Sequence, residues 1–489
     1  MNSILEYHEL IKEKGLFGAW ETILTDYFPS EFFSSEHLGG LYEDGLAFVN
    51  KIEKKSMGKY YTPIDVAEVM SAFLLELEGE SICDLCCGTG NLIIAALSLM
   101  PNEEVVQKFN NGQIYLYDID PIALMICKAI LTDKYGSCVN KGHFICEDCL
   151  SASFHFPDGS KIISNPPYGK MNELVNSPYL CAKTTKEMYV AFMEKIIAEK
   201  RPAVIITPHS FLGGSTFKTL RKELLSMGGA IYSFDNVPAN IFKGKKYGIF
   251  NSNEVNSTRA AITVLEPQKQ GYAIAPFIRF KTDERNEVLN TTFLQSLLPN
   301  YKQQSCEMFY RVEPGTEKLI QEWTASKLTL NSLLSPKSTE YRLDVPNTCR
   351  YFTTAAKRSL SRKGKITLYF KDEISWYLGY AFINSSFCYY WHRTCNGGIT
   401  YPITLLKNMP IFGEATQEIV EYCKKLMEQE EEYIVLKKNA GEYQENIKFP
   451  MSVHNELNIL LLKQLGVECS TLLNVHSNSC FNKDFSDEE

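Results

Sequence analysis

The sequence predicts an α/β chain: a doubly wound sheet, then a mixed α+β domain, then a helical tail. Three observations carry this. Short apolar runs alternate with helix-patterned stretches as far as Leu265, the signature of a parallel sheet covered on both faces. The alternation then stops, and short strands mix with many aromatic residues. Beyond about Phe412 the chain becomes charged with helical periodicity, as in EIVEYCKKLMEQEEEYIVLKKN.

With 489 residues the chain is long enough for several domains. We divide it into an N-terminal helical segment (1–55), the α/β domain (56–270), the mixed domain (271–412) and the helical region (413–489), with EPQKQG (Glu266–Gly271) as a linker. A hydrophobic content of 45% and a charged content of 22% are ordinary for a soluble globular protein. No apolar run reaches the roughly 18 residues of a membrane span. The N-terminus lacks signal-peptide features, and 15 scattered cysteines fit reduced thiols, so a cytoplasmic location is expected.

The charge is uneven. Gly271–Phe412 holds 18 Lys and Arg against 11 Asp and Glu, a net +7 that leaves −15 for the rest of a chain of net −8. KRSLSRKGKITLYFK carries Lys357, Arg358, Arg362, Lys363 and Lys365 with no acid among them. It reads either as a solvated lysine-rich face or as a surface for nucleic-acid phosphates.

In chain order, SICDL (Ser81–Leu85) is a strand, and the helix GNLIIAALSLM starts at a Gly. QIYLYDID is a strand, and PIALMICKAILTDKYG is a helix with Pro in its first turn. GHFICED and KIIS are strands, KEMYVAFMEKIIAEK is a helix, and PAVIITP is a buried strand. The helix KTLRKELLS precedes two more strands, AIYSFDNV and AAITVLEP. WETILTDYFPSEFF (Trp20–Phe33), nearer the N-terminus, should pack onto something.

The chemistry gathers at the strand ends, where ligands of open α/β sheets bind. In DLCCGTGN, Gly88 and Gly90 remove Cβ atoms where a ligand approaches the backbone. The third Gly of a dinucleotide fingerprint is missing, and Asp84 ends the strand. An acid there suits a cationic ligand such as S-adenosylmethionine better than a diphosphate. Asp118 and Asp120 end the second strand, where an acid can accept from both hydroxyls of a ribose. Asp148 ends the third, placed for an adenine amino group. The fourth strand runs into Asn165-Pro166-Pro167-Tyr168. The Asn165 carboxamide and the Pro166 carbonyl are two acceptors that can hold an exocyclic –NH2, the prolines fix φ, and Tyr168 offers a face for a base. The pattern suits methyl transfer to a weakly nucleophilic planar amine, which needs positioning more than a strong base.

At these residues the chain resembles the N6-adenine DNA methyltransferases of the gamma arrangement, TaqI-like and Eco57I-like, and the type I modification subunits. MGKYYTPIDVAEVM (Met57–Met70) is similar to their N-terminal cofactor segment, which implies cofactor contacts from Thr62 and Pro63. Asn165–Tyr168 matches their catalytic tetrapeptide, DLCCGTGN their glycine loop, and Asp118 and Asp148 their ribose and adenine positions. Asp118 departs from the Glu common at the ribose position. NVPANIFKG (Asn236–Gly244) resembles their loop with a second aromatic over the target base, which nominates Phe242. The resemblance implies a Rossmann-like methyltransferase domain followed by a target-recognition domain. The implied substrate is duplex DNA whose adenine is flipped out and sandwiched by Tyr168 and Phe242. It also implies a restriction-modification or epigenetic setting, with a cognate restriction endonuclease as a partner. Ile383–Ile411 looks like the segment closing the recognition domain. Most of its aromatics are assigned to a core, with Arg393 and the Lys357–Lys365 cluster assigned to DNA.

Two alternatives stand beside this: the same chemistry on RNA or a protein glutamine amide, and a non-catalytic DNA-binding specificity subunit. No metal is expected. Cys83-x-x-Cys86 and Cys146-x-x-Cys149 each straddle a strand end without the compact knuckle of a zinc site.

Overall fold

The computed structural model describes residues 62–171, 178–242, 259–303, 305–439 and 442–481. The expected 1–55 segment, Met57–Tyr61 and Lys243–Gly244 lie outside these. Two compact units emerge. The first comprises residues up to Ala273 together with Thr282–Ser296 and Lys302–Phe309. The second comprises Ile274–Lys281, Leu297–Tyr301 and residues from Tyr310 onward.

The first unit is built on an eight-stranded sheet of order β3-β2-β1-β4-β5-β7-β6-β8. The strands are β1 (Ser81–Leu85), β2 (Ile114–Asp118), β3 (His143–Cys146), β4 (Ser160–Ser164), β5 (Ala203–Pro208), β6 (Gly228–Ser233), β7 (Ala260–Glu266) and β8 (Gly271–Ile274). β1 pairs parallel with both β2 and β4, and the order reverses between β1 and β4. A crevice therefore opens beyond their C-terminal ends, where Asp84 and Ser164 stand. The first five strands match the sequence reading closely.

One expectation is corrected. The sheet is not wholly parallel: β7 runs antiparallel to β5 and β6. An antiparallel neighbour needs no helical crossover, so strand–helix alternation alone could not reveal it. The Glu266–Gly271 stretch read as a linker is a turn into β8, closed by Lys269 N–H donating to the Glu266 carbonyl at 3.0 Å.

Helices cover the sheet: α1 (Ile64–Glu76), α2 (Asn91–Ser98), α3 (Asn102–Asn110), α4 (Pro121–Tyr135), α5 (Leu180–Thr185), α6 (Met188–Ala198) and α7 (Lys218–Leu224). α1 buries Val66, Val69, Met70, Phe73 and Leu74. Its Ser71 hydroxyl donates to the Leu92 carbonyl of α2, and Phe73 stacks on Tyr232 of β6 with centroids 5.0 Å apart. α4 starts as Asp-Pro should. Asp120 is the N-cap, its Oδ1 accepting from the Ile122 and Ala123 N–H groups, and Pro121 fills the first position, where no N–H is needed.

The chain returns to this unit after leaving it, through α8 (Arg285–Val288), α9 (Thr291–Ser296) and residues 302–309. The buried Arg221 of α7 holds the last of these, donating to the carbonyls of Cys306 (2.8 Å) and Glu307 (2.9 Å) as well as Phe211 and Gly214.

The second unit is mixed. It contains α10 (Glu317–Thr324), α11 (Leu330–Leu333), the hairpin β9 (Arg342–Pro346)–β10 (Lys365–Tyr369), α12 (Glu373–Asn384), α13 (Ser386–Cys395), α14 (Ile403–Lys407), α15 (Gln417–Gln429) and α16 (Met451–Leu465). Phe387, Tyr389, Tyr390 and Trp391 are core residues, as the sequence reading expects for most of this segment's aromatics. The helical tail holds one surprise. Ile434–Asn439, read as the end of a helix, is strand β11, paired antiparallel with β12 (Glu442–Ile447).

Candidate active site

β1 delivers Asp84 to the crevice inside a fully buried strand. Among the described residues neither carboxylate oxygen has a partner in hydrogen-bond geometry. Burial, and then the charge of Asp118, hold this carboxyl well above the usual carboxylate range, against partial opposition from the Ile93 backbone N–H. An acid kept this way is costly when ionised and alone, and the cost falls when a cation arrives.

The turn after β1 is tightly specified. The Cys86 and Cys87 N–H groups both donate to the Tyr117 carbonyl at 2.9 Å. Cys86 (φ 76°), Gly88 (φ 54°) and Gly90 (φ 98°) all adopt left-handed backbone conformations. At Gly90 the missing Cβ serves packing: a β-carbon there would lie 2.5 Å from Cys127 Sγ on α4.

Asp118, at the end of β2, is oriented by this turn. Oδ2 accepts from Gly88 N–H at 2.8 Å and Oδ1 from Asp120 N–H at 2.9 Å. Asp148, just beyond β3, is exposed, and its Oδ1 accepts from Leu150 N–H at 2.9 Å.

Asn165 follows β4, and Pro166 behind it is buried. Its Nδ2 donates to Thr62 Oγ1 at 2.9 Å. Thr62 is itself buried immediately before Pro63, the N-cap of α1, and its carbonyl accepts from Asn91 Nδ2 at the start of α2. Thr62 therefore joins the glycine turn to the Asn-Pro-Pro-Tyr turn, a contact between residues 103 positions apart.

Tyr168 is fixed by its hydroxyl, which donates to the Ile206 carbonyl of β5 at 3.2 Å. Its ring meets Phe242 edge to face, with centroids 6.2 Å apart at 66°. A base sandwiched between parallel rings needs about 7 Å between them. The two rings lie together, but not in the parallel arrangement a sandwich needs.

In the second unit the basic cluster is largely engaged. Lys365 Nζ pairs with buried Asp344 at 2.7 Å, and Arg358 pairs with Glu445 at 2.7 Å. Arg362 donates to Asn446 Oδ1 and to Thr348 Oγ1. Burial raises the Asp344 carboxyl, but bonds from Lys365, Thr367 and Arg342 outweigh it and bring the pKa down to about 2. Lys357 and Lys363 are exposed. Arg393 is buried, with its guanidinium 4.3 Å from the Phe277 ring centre, so the structure does not bring it to the solvent-facing side of the cluster.

Residues 34–268 match the family profile described as N-6 DNA Methylase. The chain is 27% identical over 225 residues to the Type II methyltransferase M.VspI of Vibrio sp. (strain 343), covering 44% of this chain and 52% of that protein. It is 24% identical over 232 residues to the Type I restriction enzyme EcoEI methylase subunit of Escherichia coli, covering 43% and 45%. The match thus spans about half the length of these curated relatives. Among solved structures the chain is similar to the protein of a cryoEM DrdV–DNA complex, at 18% identity and a TM-score of 0.45, over 57% of this chain and 34% of that one. The crevice residues from Thr62 to Phe242 all fall inside the segment matched by that profile.

The sequence places Asp120 beside Asp118 at the end of the second strand, and the structure makes it the N-cap of α4. Sequence reasoning missed one group around this crevice. Arg285, beyond the methylase segment, has no local sequence signal at all.

Proposed function

We propose that this chain is a site-specific DNA methyltransferase of the gamma arrangement that methylates adenine N6 in duplex DNA, using S-adenosylmethionine and a flipped-out base. The observation that carries the reading is the Asn165 carboxamide, at the end of β4, with its Nδ2 held by the Thr62 hydroxyl beside the glycine turn.

The residues present fit S-adenosylmethionine. Asp84 is a buried carboxylate with no partner in hydrogen-bond geometry among the described residues, matched to a cationic group. Asp118 keeps further lone pairs for ribose hydroxyls while two amides fix its orientation. Asp148 would accept from the adenine amino group, and Thr62, Pro63, Gly88 and Gly90 would line the remainder. When bound, the cofactor supplies an electrophilic methyl on a sulfonium.

The chain's own part is positional. With Nδ2 committed to Thr62, Oδ1 is the acceptor that Asn165 offers an exocyclic amine, and the Pro166 carbonyl is the second. Two acceptors holding both N6 hydrogens turn the nitrogen lone pair out of the base plane, and the ring constraint of Pro166 and Pro167 keeps them in place. Tyr168 is anchored for stacking, and Phe242 provides a second face once the edge contact between the rings opens. In this reading residues 271–412 recognise the target, with Lys357 and Lys363 facing phosphates and Arg358, Arg362 and Lys365 holding the surface that presents them. Arg393 supports that domain from its core. The setting is a cytoplasmic restriction-modification or epigenetic system, with a cognate restriction endonuclease as a partner.

The test is incubation of purified protein with methyl-labelled S-adenosylmethionine and duplex DNA free of adenine methylation, followed by nucleoside analysis. Label is expected in N6-methyladenine, and Asn165→Ala should abolish it while retaining cofactor binding. Label on RNA or protein with duplex DNA inert would overturn the reading.

A further inference from the structure

Arg285 lies outside the methylase segment, in a stretch that sequence reasoning assigned to target recognition. It is buried in the first unit, 7% exposed. Its Nε and Nη2 grip the Asp65 carboxylate side-on, at 2.5 and 3.0 Å. Its Nη1 donates to the Asn240 carbonyl at 3.1 Å, and Nη2 also donates to the Ile241 carbonyl at 2.7 Å. Asn240 Oδ1 in turn accepts from the Phe242 N–H at 2.8 Å. One guanidinium therefore joins two places: the first turn of α1, three residues after Thr62, and the two residues that immediately precede Phe242.

The chemistry is specific to arginine. Four bonds leave one planar group in fixed directions, two to a carboxylate and two to main-chain carbonyls. A lysine offers the same charge from a single point and cannot span both. The carbonyls belong to the loop backbone, so the brace acts on where the Phe242 backbone sits and not on the side-chain torsions that turn its ring. That is the motion the edge-to-face contact with Tyr168 requires before a base can stack.

We infer that Arg285 is a positioning residue of the methylation site: it braces the Phe242 loop against the helix that follows Thr62, keeping the second stacking face in register with Asn165. The inference rests on the proposed role of Phe242 as a stacking partner. A loop that must be ordered at each encounter charges its entropy to base flipping, and a small misplacement of a stacking face is felt in the rate.

The experiment compares wild type, Arg285→Ala, Arg285→Lys, Phe242→Ala and the Ala/Ala double variant. Each is assayed on a duplex carrying the target site and on the same duplex with a mismatch opposite the target adenine, which lowers the cost of flipping. Both Arg285 variants should turn over the paired duplex at least about tenfold more slowly, while S-adenosylmethionine affinity stays within about twofold. The deficit should shrink on the mismatched duplex, and the double variant should be no slower than Phe242→Ala. If Arg285→Ala does not fold, Arg285→Lys, which keeps charge and most of the bulk, answers the same question. Wild-type rates for Arg285→Lys, an equal deficit on both duplexes, or multiplying effects in the double variant would overturn the inference alone. A wild-type protein inert on duplex adenine would overturn the reading of the site, and this inference with it.

Discussion

Replacing Asp84 by Asn tests the electrostatics of the crevice at one atom pair. The carboxyl is fully buried and close to the charge of Asp118, and the Ile93 backbone N–H offsets these only in part, so its folded pKa lies well above its unfolded value. The sign follows from linkage. Below the unfolded pKa, near 3.9, the group is neutral in both states and carries no penalty. As pH rises from there toward the folded pKa, the unfolded chain releases the proton while the folded chain keeps it. Stability falls by at most about 1.4 kcal/mol per pH unit, the value for one proton. Asn cannot ionise, so the variant escapes that slope. Asp84→Asn should therefore gain stability relative to wild type between pH 5 and pH 7, and its affinity for S-adenosylmethionine should fall because the counter-charge is gone. Urea denaturation at both pH values, followed by a probe in the first unit, measures the first effect, and titration calorimetry measures the second. Calorimetry of wild type in buffers of different ionisation heat should also detect a proton released on cofactor binding. A stability difference that stays flat from pH 5 to pH 7, or an unchanged cofactor affinity, refutes the reasoning.

Two further outcomes follow from the same geometry. Thr62→Val keeps the shape but removes the acceptor for Asn165 Nδ2. It should lower kcat by about tenfold with a much smaller change in KM for DNA, and Thr62→Ser should restore most of the loss; failure of Ser to rescue would reject the hydroxyl's role. Gly90→Ala combines a left-handed backbone with a β-carbon 2.5 Å from Cys127 Sγ. It should cost about 2 kcal/mol or more in denaturation experiments, and adding Cys127→Ala should recover the packing part but not the backbone part.

The crevice was legible in the sequence because its ingredients are local. Strands bounded by Gly, Pro and acids announce themselves, and ligand groups of open α/β sheets gather at strand ends, so Asp84, Asp118, Asp148 and Asn165 could be nominated without coordinates. What pairs with them could not. Thr62 and Asn165 are 103 positions apart, and Arg285 and Asp65 are 220 apart. The basic cluster shows the same limit. Composition counts the charges of Lys357–Lys365, but only the fold places Glu445 against Arg358, 87 positions away, and sets Asp344 under Lys365. The β11–β12 hairpin was missed for a related reason. Ile434–Asn439 carries two lysines and follows a strongly helical, charged stretch, so helical periodicity runs on past the true end of α15, and the strand is specified by pairing with Glu442–Ile447 and not by its own pattern.

The late return of the chain to the first unit bears on how that unit could be dissected. A fragment trimmed at residue 270, where the strand–helix alternation ends, would lose the carbonyls of Cys306 and Glu307 and so strand a buried guanidinium at Arg221 with two of its four acceptors gone. It would also lose the whole of Arg285, leaving Asp65 and the Asn240–Ile241 backbone with nothing between them. The smallest autonomous piece must run at least to Phe309, carrying with it stretches that belong to its neighbour, so the two units are interleaved in sequence and cannot be exchanged between proteins by a single cut.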